Sequence, residues 1–252
     1  MSGADSTHPY LSLMNDVERE QRWANQRPRD ASTMIIIDRS SSKPKVLMGK
    51  RHEGHKFMPG KFVFPGGRIE AHDRMMPVAG ALAKPVEERL LDHVQRPTLS
   101  RARALVLAAI RETFEETGLM IGSRDFGAPP QAPEGPWQQF LELGIFPTLE
   151  AIHFVGRAIT PPRRPKRFDT RFFAVDRTQI CHEVGGIIGP DAELVELVWV
   201  PIDEAARLDV PTVTEVMLKE LQDRISAGFT HKLPVPFYRY THGRFYRLLM
   251  GA

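Results

Sequence analysis

Short apolar and β-branched runs alternate with polar turns in the first third of the chain and predict strands. The run Thr33–Ile37 is followed by a Ser/Lys/Pro turn that ends at Pro44, and Val46–Met48 comes next, so the two runs are expected to form a hairpin. Phe62–Phe64 predicts a third strand. Later strands are expected at Ile152–Ile159, Arg171–Val175 and Leu194–Val200.

Helical spacing of apolar residues predicts two long helices. Ser100 can cap a helix that runs to Thr117, with Gly118 as the left-handed residue at its end, and Leu107, Ile110 and Phe114 mark its buried stripe. Thr212 with Glu215 is a capping-box pattern for a helix through about Ser226, whose stripe is Val213, Met217, Leu221 and Ile225. Shorter helices are expected at Met14–Asn25 and Val86–Val94.

Composition narrows the class of protein. Of 252 residues, 42% are hydrophobic and 26% charged, which is typical of a globular domain, and a net charge of +3 is too small for a dedicated nucleic-acid binder. The single cysteine, Cys181, excludes an internal disulfide or a Cys-rich zinc site and favours a reducing cytoplasm. No apolar run reaches transmembrane length, and early acidic residues argue against a signal peptide, so a soluble cytoplasmic protein without a membrane partner is expected.

Three glutamates crowd one face of the first long helix. Glu112, Glu115 and Glu116 stand at i, i+3 and i+4, where like charges repel each other. A hard divalent cation would remove this conflict, and oxygen ligands without thiolates favour Mg²⁺ or Mn²⁺. Arg111 can pair with Glu115 at i, i+4. The alternative is an ordinary solvated acidic face.

A glycine turn upstream reads Phe64-Pro65-Gly66-Gly67 and lets the backbone approach a ligand closely. Together with Arg-Glu-Thr-Phe-Glu-Glu-Thr-Gly-Leu at 111–119, it resembles the box of the Nudix hydrolases, in which a glycine is followed by a glutamate and then by Arg-Glu-apolar-x-Glu-Glu-x-Gly-apolar. The chain departs from that box in three ways. Asp73 replaces the first glutamate, 37 residues instead of seven separate it from Arg111, and Thr113 takes an apolar position.

The long insertion resembles a Nudix subfamily that includes peroxisomal coenzyme A diphosphatases and their bacterial relatives. Flanking residues agree with it, namely Arg51-His52, Phe57-Met58-Pro59-Gly60, Val63-Phe64-Pro65-Gly66-Gly67 and Arg167-Phe168-Asp169-Thr170-Arg171-Phe172-Phe173. The chain ends in Met250-Gly251-Ala252, which is not a peroxisomal address.

The resemblance implies a fold and a site. The fold is an α/β/α sandwich with a mixed β-sheet, an insertion inside the box and an extra C-terminal helix and tail. Implied metal ligands are Glu112, Glu115, Glu116 and a backbone carbonyl of Gly66, with Arg111 as their orienting partner. The implied reaction is Mg²⁺- or Mn²⁺-dependent cleavage of a nucleoside diphosphate linked to another group, with coenzyme A or a derivative as the favoured substrate. Candidates for the general base are Glu112, Glu183, Glu193 and Glu196.

Two basic segments are candidates for binding phosphate groups or nucleic acid. The densest basic run, 157–171, and Arg51 are candidates for phosphate contacts, although solubilising loop charge explains such a run equally well. The candidate contacts are Arg51, Arg163, Arg164, Arg167 and Arg171. The tail from Pro236 to Leu249 interleaves aromatic and basic residues around His242-Gly243, which could turn it into a hairpin. Packing on its own core or on a homodimer partner is preferred over binding of single-stranded nucleic acid.

We therefore divide the chain into an N-terminal arm (1–30), a Nudix domain (31–228) with an insertion at 74–99, and an aromatic and basic tail (229–252). The insertion is expected near the mouth of the metal site. The competing hypothesis is a catalytically idle Nudix-type domain that binds a nucleotide or RNA, and the three mutually repelling glutamates argue against it.

Overall fold

The computed structural model describes residues 7–16, 21–55 and 58–251. Within them, nine strands form one mixed sheet in the order β11-β10-β6-β7-β1-β2-β3, with β4 paired to β1 and β9 to β2, and β5 pairs with β8 separately. The strands are β1 (Arg29–Asp38), β2 (Lys45–Arg51), β3 (Phe62–Val63), β4 (Gly66–Arg68), β5 (Leu119–Ile121), β6 (His153–Ile159), β7 (Phe168–Asp176), β8 (Ile180–Glu183), β9 (Leu194–Pro201), β10 (Val235–Thr241) and β11 (Arg244–Met250). The helices are α1 (Pro9–Asn15), α2 (Lys84–Leu91), α3 (Leu99–Thr117), α4 (Trp137–Glu142), α5 (Ile202–Ala205) and α6 (Thr212–Ser226).

The strand β1 lies in the middle of this sheet and contributes to two hydrophobic cores. Met34 and Ile36 pack with α3 on one face, whereas Ile35 and Ile37 pack with α6 on the other. Because successive side chains of a strand point to opposite faces, a continuous apolar run indicates a strand covered on both sides. β1 pairs antiparallel with β2 and parallel with β7. The predicted hairpin and the α/β/α sandwich with a mixed sheet are confirmed.

The ends of the two long helices differ partly from the prediction. Thr98, not Ser100, is the N-cap of α3, since its side chain accepts a hydrogen bond from the Arg101 amide at 3.2 Å. Gly118 ends the helix with φ of 78°, as predicted. The helix α6 spans the predicted residues, but Pro211 precedes it and no side chain caps it, so the capping-box interpretation of Thr212 is wrong. At the N-terminus α1 ends at Asn15, earlier than expected, and residues 17–20 and Phe57 lie outside the described ranges.

The insertion is part of the core. Its helix α2 ends at Leu91 instead of Val94, and Met76, Val86 and Leu90 are buried together with residues of α3. The side chain of Arg89 donates hydrogen bonds to the carbonyls of residues 231 and 232, ahead of β10. None of residues 74–99 lines the carboxylate cleft described below, so the expectation that the insertion lies at its mouth is wrong.

The C-terminal tail adds two strands to the sheet. β10 and β11 form an antiparallel hairpin around His242 and Gly243, which have φ of 48° and 81°, and β10 runs parallel to β6. Positive φ at both central residues is typical of a tight two-residue hairpin turn. Tyr238 donates a 2.5 Å hydrogen bond to Glu220 of α6, which fixes the hairpin on that helix. The tail therefore packs on its own core.

No helix in the described part of the chain has both the length and the apolar composition that a membrane span requires.

Candidate functional site

The glycine turn lies directly against the carboxylate helix. Gly66 pairs with Thr33 of β1, and its amide donates a 3.2 Å hydrogen bond to Oε2 of Glu116. A Cβ atom at Gly67 would lie 2.2 Å from Oε1 of Glu112, so any side chain there would displace this carboxylate. The sequence places glycines here because the backbone itself forms one wall of the site.

Arg111 of α3 connects this helix to the strand that contains the glycine turn. It is only 2% exposed, and its Nη1 contacts Glu112 at 3.0 Å and Glu115 at 2.5 Å. Its Nη2 donates to the carbonyl of Arg68 at 2.9 Å, and its Nε donates to Asp73 at 2.8 Å. Burial alone would lower the pKa of Arg111, but the hydrogen bond and charge of Asp73 raise it above its ordinary value. The guanidinium stays charged and fixes the acidic side chains around it.

Asp73 is a structural partner of Arg111. It is fully buried, and its carboxylate accepts hydrogen bonds from Arg111, from the Glu70 amide at 2.8 Å and from Trp137 Nε1 at 3.3 Å. The shorter side chain in place of the box glutamate therefore pairs with the arginine and does not reach the cleft. Sequence analysis missed Trp137, which stands 64 residues from Asp73 and belongs to no recognisable motif.

Two of the three glutamates of the motif face an open cleft. Its volume is ≈ 460 Å³, and Gly66, Gly67, Glu112 and Glu116 line it on one side. Glu115 is 38% exposed and its carboxylate turns toward Arg111 instead of into this lining. The structure thus brings together Gly66, Glu112 and Glu116 of the predicted ligand set and leaves Glu115 outside the cleft, in an i, i+4 ion pair with Arg111.

Two glutamates of the cleft, Glu112 and Glu116, have raised pKa values. Burial, together with Glu115 and Asp73, raises the pKa of Glu112 to about 7 although Arg111 opposes the shift. Burial also raises the pKa of Glu116 well above its ordinary value, and the charges of Glu193 and Glu112 add to this effect. Glu193 enters the cleft from the segment before β9 and forms a 2.8 Å ion pair with Arg51. Such a concentration of carboxylates in a recess is typical of a cation site.

A divalent cation fits the chemistry of this donor set, although the carboxylates are not gathered into a closed cage. Within residues 7–16, 21–55 and 58–251, no three acidic, histidine or cysteine side chains converge closely enough to form one. Glu112, Glu116 and Glu193 nevertheless line one recess, in which the charges of Glu193 and Glu112 disfavour ionisation of Glu116, and oxygen donors that share a recess suit Mg²⁺. An ion held there would retain several water molecules, as Mg²⁺ usually does.

The candidate phosphate contacts are distributed over several places. Arg51 lines the cleft, and so does Lys166 of the basic run. Arg171 is 1% exposed, and its guanidinium pairs with Asp30 at 2.9 Å and Asp169 at 3.2 Å, away from the cleft. Arg167 donates to the carbonyl of Thr160 at 3.1 Å, and to Asn25 and Gln26. Arg163, Arg164, Arg167 and Arg171 do not belong to the cleft lining.

Of the four candidate general bases, two line the cleft and two do not. Glu112 and Glu193 line the cleft. Glu183 lies in β8, opposite Leu119, and Glu196 lies in β9, opposite Lys50, and neither belongs to the lining. A base must come within hydrogen-bonding reach of the attacking water, which leaves Glu112 and Glu193 in position.

The chain is similar to known proteins over much of its length. No family profile matches it. It is 28% identical to acyl-coenzyme A diphosphatase NUDT19 of Gallus gallus, covering 51% of this chain and 47% of that protein. It is 25% identical to a nudix hydrolase of Caenorhabditis elegans, covering 58% of this chain and 43% of that protein. The chain thus spans less than half the length of both curated relatives.

A solved structure agrees with these sequence matches. A NUDIX hydrolase from Alicyclobacillus acidocaldarius superposes with a TM-score of 0.56 at 25% identity, over 77% of this chain and 90% of that one. The glycine turn and the Arg-Glu-x-x-Glu-Glu helix meet in this fold as the family resemblance implies. In its fold and in the residues of α3 that carry the three glutamates, the chain is similar to Nudix hydrolases.

Proposed function

We propose that this chain is a Mg²⁺-dependent hydrolase that cleaves the diphosphate of a nucleoside diphosphate linked to another group. The observation that carries this proposal is the cleft in which Glu112 and Glu116 face Glu193 beside the glycine turn. A binding module would gain nothing from a buried Glu116 whose pKa the charges of Glu112 and Glu193 raise, whereas a hydrolase needs carboxylates to hold a divalent cation against a polyanionic substrate.

The chain's own groups have separate tasks in this proposal. Glu112 and Glu116 would hold the ion, and Arg111 keeps Glu112 in place through their 3.0 Å contact. Mn²⁺ could replace Mg²⁺ on such ligands. When bound, the ion supplies charge neutralisation of the diphosphate and lowers the pKa of the attacking water. Arg51 and Lys166, which line the same cleft, would bind phosphate oxygens.

The hydrolysis is a balanced displacement at one phosphorus atom. The water oxygen forms a bond to that phosphorus while the bridging P–O bond breaks, and the two products are phosphate monoesters. We assign the acceptance of the water proton to Glu193, which lines the same cleft as Glu112 and Glu116 and is not one of the two ligands proposed for the ion. The proton then passes to solvent, since Glu193 is 45% exposed.

The favoured substrate is coenzyme A or one of its derivatives, which contain a diphosphate between an adenosine nucleotide and a second group. Support comes from the insertion inside the box and from the similarity to an acyl-coenzyme A diphosphatase. Fold alone does not determine a substrate, so a panel of coenzyme A, ADP-ribose and dinucleoside polyphosphates with Mg²⁺ is the direct comparison.

The Glu116→Gln variant tests the reaction. Glutamine retains an oxygen that can accept the hydrogen bond from the Gly66 amide but cannot carry the charge, so we expect kcat/KM to fall at least about 100-fold for every substrate of the panel. The metal-free variant should unfold at the same temperature as the wild type or higher, because a neutral glutamine avoids the cost of protonating or burying the Glu116 carboxylate.

Glu88→Gln is the matched control, since Glu88 lies exposed on α2 and its carboxylate is 64% accessible. This variant should keep wild-type kinetics. A Glu116→Gln enzyme that hydrolyses its substrate at the wild-type rate would overturn the assignment and favour an idle domain.

A further inference from the structure

A second cavity adjoins the carboxylate cleft. This side pocket has a volume of ≈ 210 Å³ and shares with the cleft a wall that includes Met58, Phe172 and Val213. Lys166 lines both cavities, so a cationic side chain stands where they meet. A ligand whose diphosphate lies in the cleft could therefore extend a second group into the side pocket without leaving the protein surface.

Both terminal segments of the fold build the far wall of the side pocket. Met14 of α1 and Phe245 of β11 line it, and they are only 5% and 2% exposed. The two segments are joined, because the Phe245 amide donates a 2.8 Å hydrogen bond to Asn15. Tyr10 of α1 also donates a 2.7 Å hydrogen bond to Asp223 of α6. The wall is thus held in place by contacts outside the carboxylate site.

The chemistry of the lining indicates what this pocket can accept. Ten of its fifteen lining residues are apolar, and the other five are three threonines, Arg164 and Lys166. No carboxylate or amide side chain is among those that the structure describes there. Recognition of an adenine edge typically uses amide side chains, and recognition of ribose hydroxyls typically uses carboxylates. Methionine side chains such as Met14 and Met58 adapt their shape to flexible aliphatic groups.

We propose that the side pocket binds an aliphatic group carried by the substrate beyond its second phosphate, and that it selects substrates by the apolar surface of that group. This proposal rests on the proposed function for the position of the diphosphate. It assigns specificity to Met14, Phe245 and the first turn of α6, which are remote in sequence from the box.

A series of ADP esters tests the proposal. Methyl, butyl and octyl esters on the terminal phosphate share one nucleoside and one diphosphate and differ only in chain length. With Mg²⁺, kcat/KM should rise from methyl to butyl by roughly three- to fourfold for each methylene that becomes buried, and then level off when the pocket is full. Equal values for methyl and butyl esters would overturn the proposal.

Thr212→Phe provides the complementary test. Thr212 lines the side pocket but not the cleft, so an aromatic ring there should fill the pocket and remove the preference for the butyl ester. Ser226→Phe is the matched control, because it adds the same ring at the exposed far end of α6. This control should keep the wild-type ratio between esters. If Thr212→Phe does not fold, Thr212→Leu should reduce the ratio by a smaller amount.

Dissociation constants distinguish this proposal from the proposed function. In the Glu116→Gln background the esters bind without turnover, and the butyl ester should still bind more tightly than the methyl ester. Tighter binding of the butyl ester with no hydrolysis by the wild type would reject the reaction and retain the pocket. Hydrolysis that depends on the nucleobase but not on the alkyl chain would place the base in the pocket and reject our assignment.

Discussion

At the scale of single residues, Glu112 should make the stability of the metal-free protein depend on pH. Burial raises its pKa from about 4.5 to about 7, so the folded state favours the neutral form. The resulting stabilisation is complete below pH 4.5 and is lost as the pH rises through 7. Relative to Glu112→Gln, the wild type should lose on the order of 2–3 kcal/mol of unfolding free energy over this interval.

Urea denaturation with a chelator present, at several pH values between 4 and 8, measures this difference. Glu88→Gln serves as the control, since its exposed side chain should give a difference that does not change with pH. A Glu112→Gln difference that is equally flat would show that Glu112 is ionised in the folded protein and would remove the electrostatic basis of the cleft.

The residues that the sequence predicted correctly are those fixed by local geometry. Glu112 and Glu116 share a helix face, and their positions follow from a spacing of four residues. Glu115 stands three residues after Glu112, but the direction of its side chain depends on Arg111, whose own position depends on Asp73. Asp73 in turn is held by Trp137. Arg171 is a candidate phosphate contact by sequence and is instead buried between two aspartates from β1 and β7. Tertiary partners decide such cases, and periodicity does not reveal them.

At the scale of elements, the insertion is expected to be indispensable for folding. Leu90 of α2 is 3% exposed and packs in the same core as α3, so Leu90→Ala should reduce the unfolding free energy by about 2–5 kcal/mol. Leu99→Ala at the start of α3 is the control, because Leu99 is 58% exposed and should change stability by less than about 0.5 kcal/mol. Equal midpoints in urea for Leu90→Ala and the wild type would show that α2 is an appendage. Replacement of residues 74–99 by a short linker should prevent folding altogether, because it removes Met76, Val86 and Leu90 from the core.

The elements that sequence analysis missed are short. β5 and β8 have three and four residues and pair only with each other, so neither offers enough alternation to be recognised. The long strands and α3 were predicted because their apolar patterns extend over several turns or pleats. The N-cap of α3 was predicted at Ser100, two residues after its actual position at Thr98. Both serine and threonine can cap a helix, so only the geometry distinguishes them.

At the scale of the whole molecule, ion binding in the cleft should stabilise the entire fold and release protons. The carboxylates of Glu112 and Glu116 come from α3, which packs on the central strand β1, so an ion that binds only the folded chain shifts its melting temperature. At a Mg²⁺ concentration 100 times the dissociation constant, the shift should be roughly 5–10 °C.

Because Mg²⁺ favours the ionised carboxylates, binding at pH 5.5 should release protons. The number released should decrease toward pH 8 as Glu112, with its pKa of about 7, ionises on its own. Calorimetry in two buffers of different ionisation enthalpy counts these protons, and Glu112→Gln should release fewer than the wild type at pH 5.5. Binding that releases no protons at pH 5.5, or Mg²⁺ that leaves the melting temperature unchanged, would mean that the cleft does not hold the ion through these two side chains.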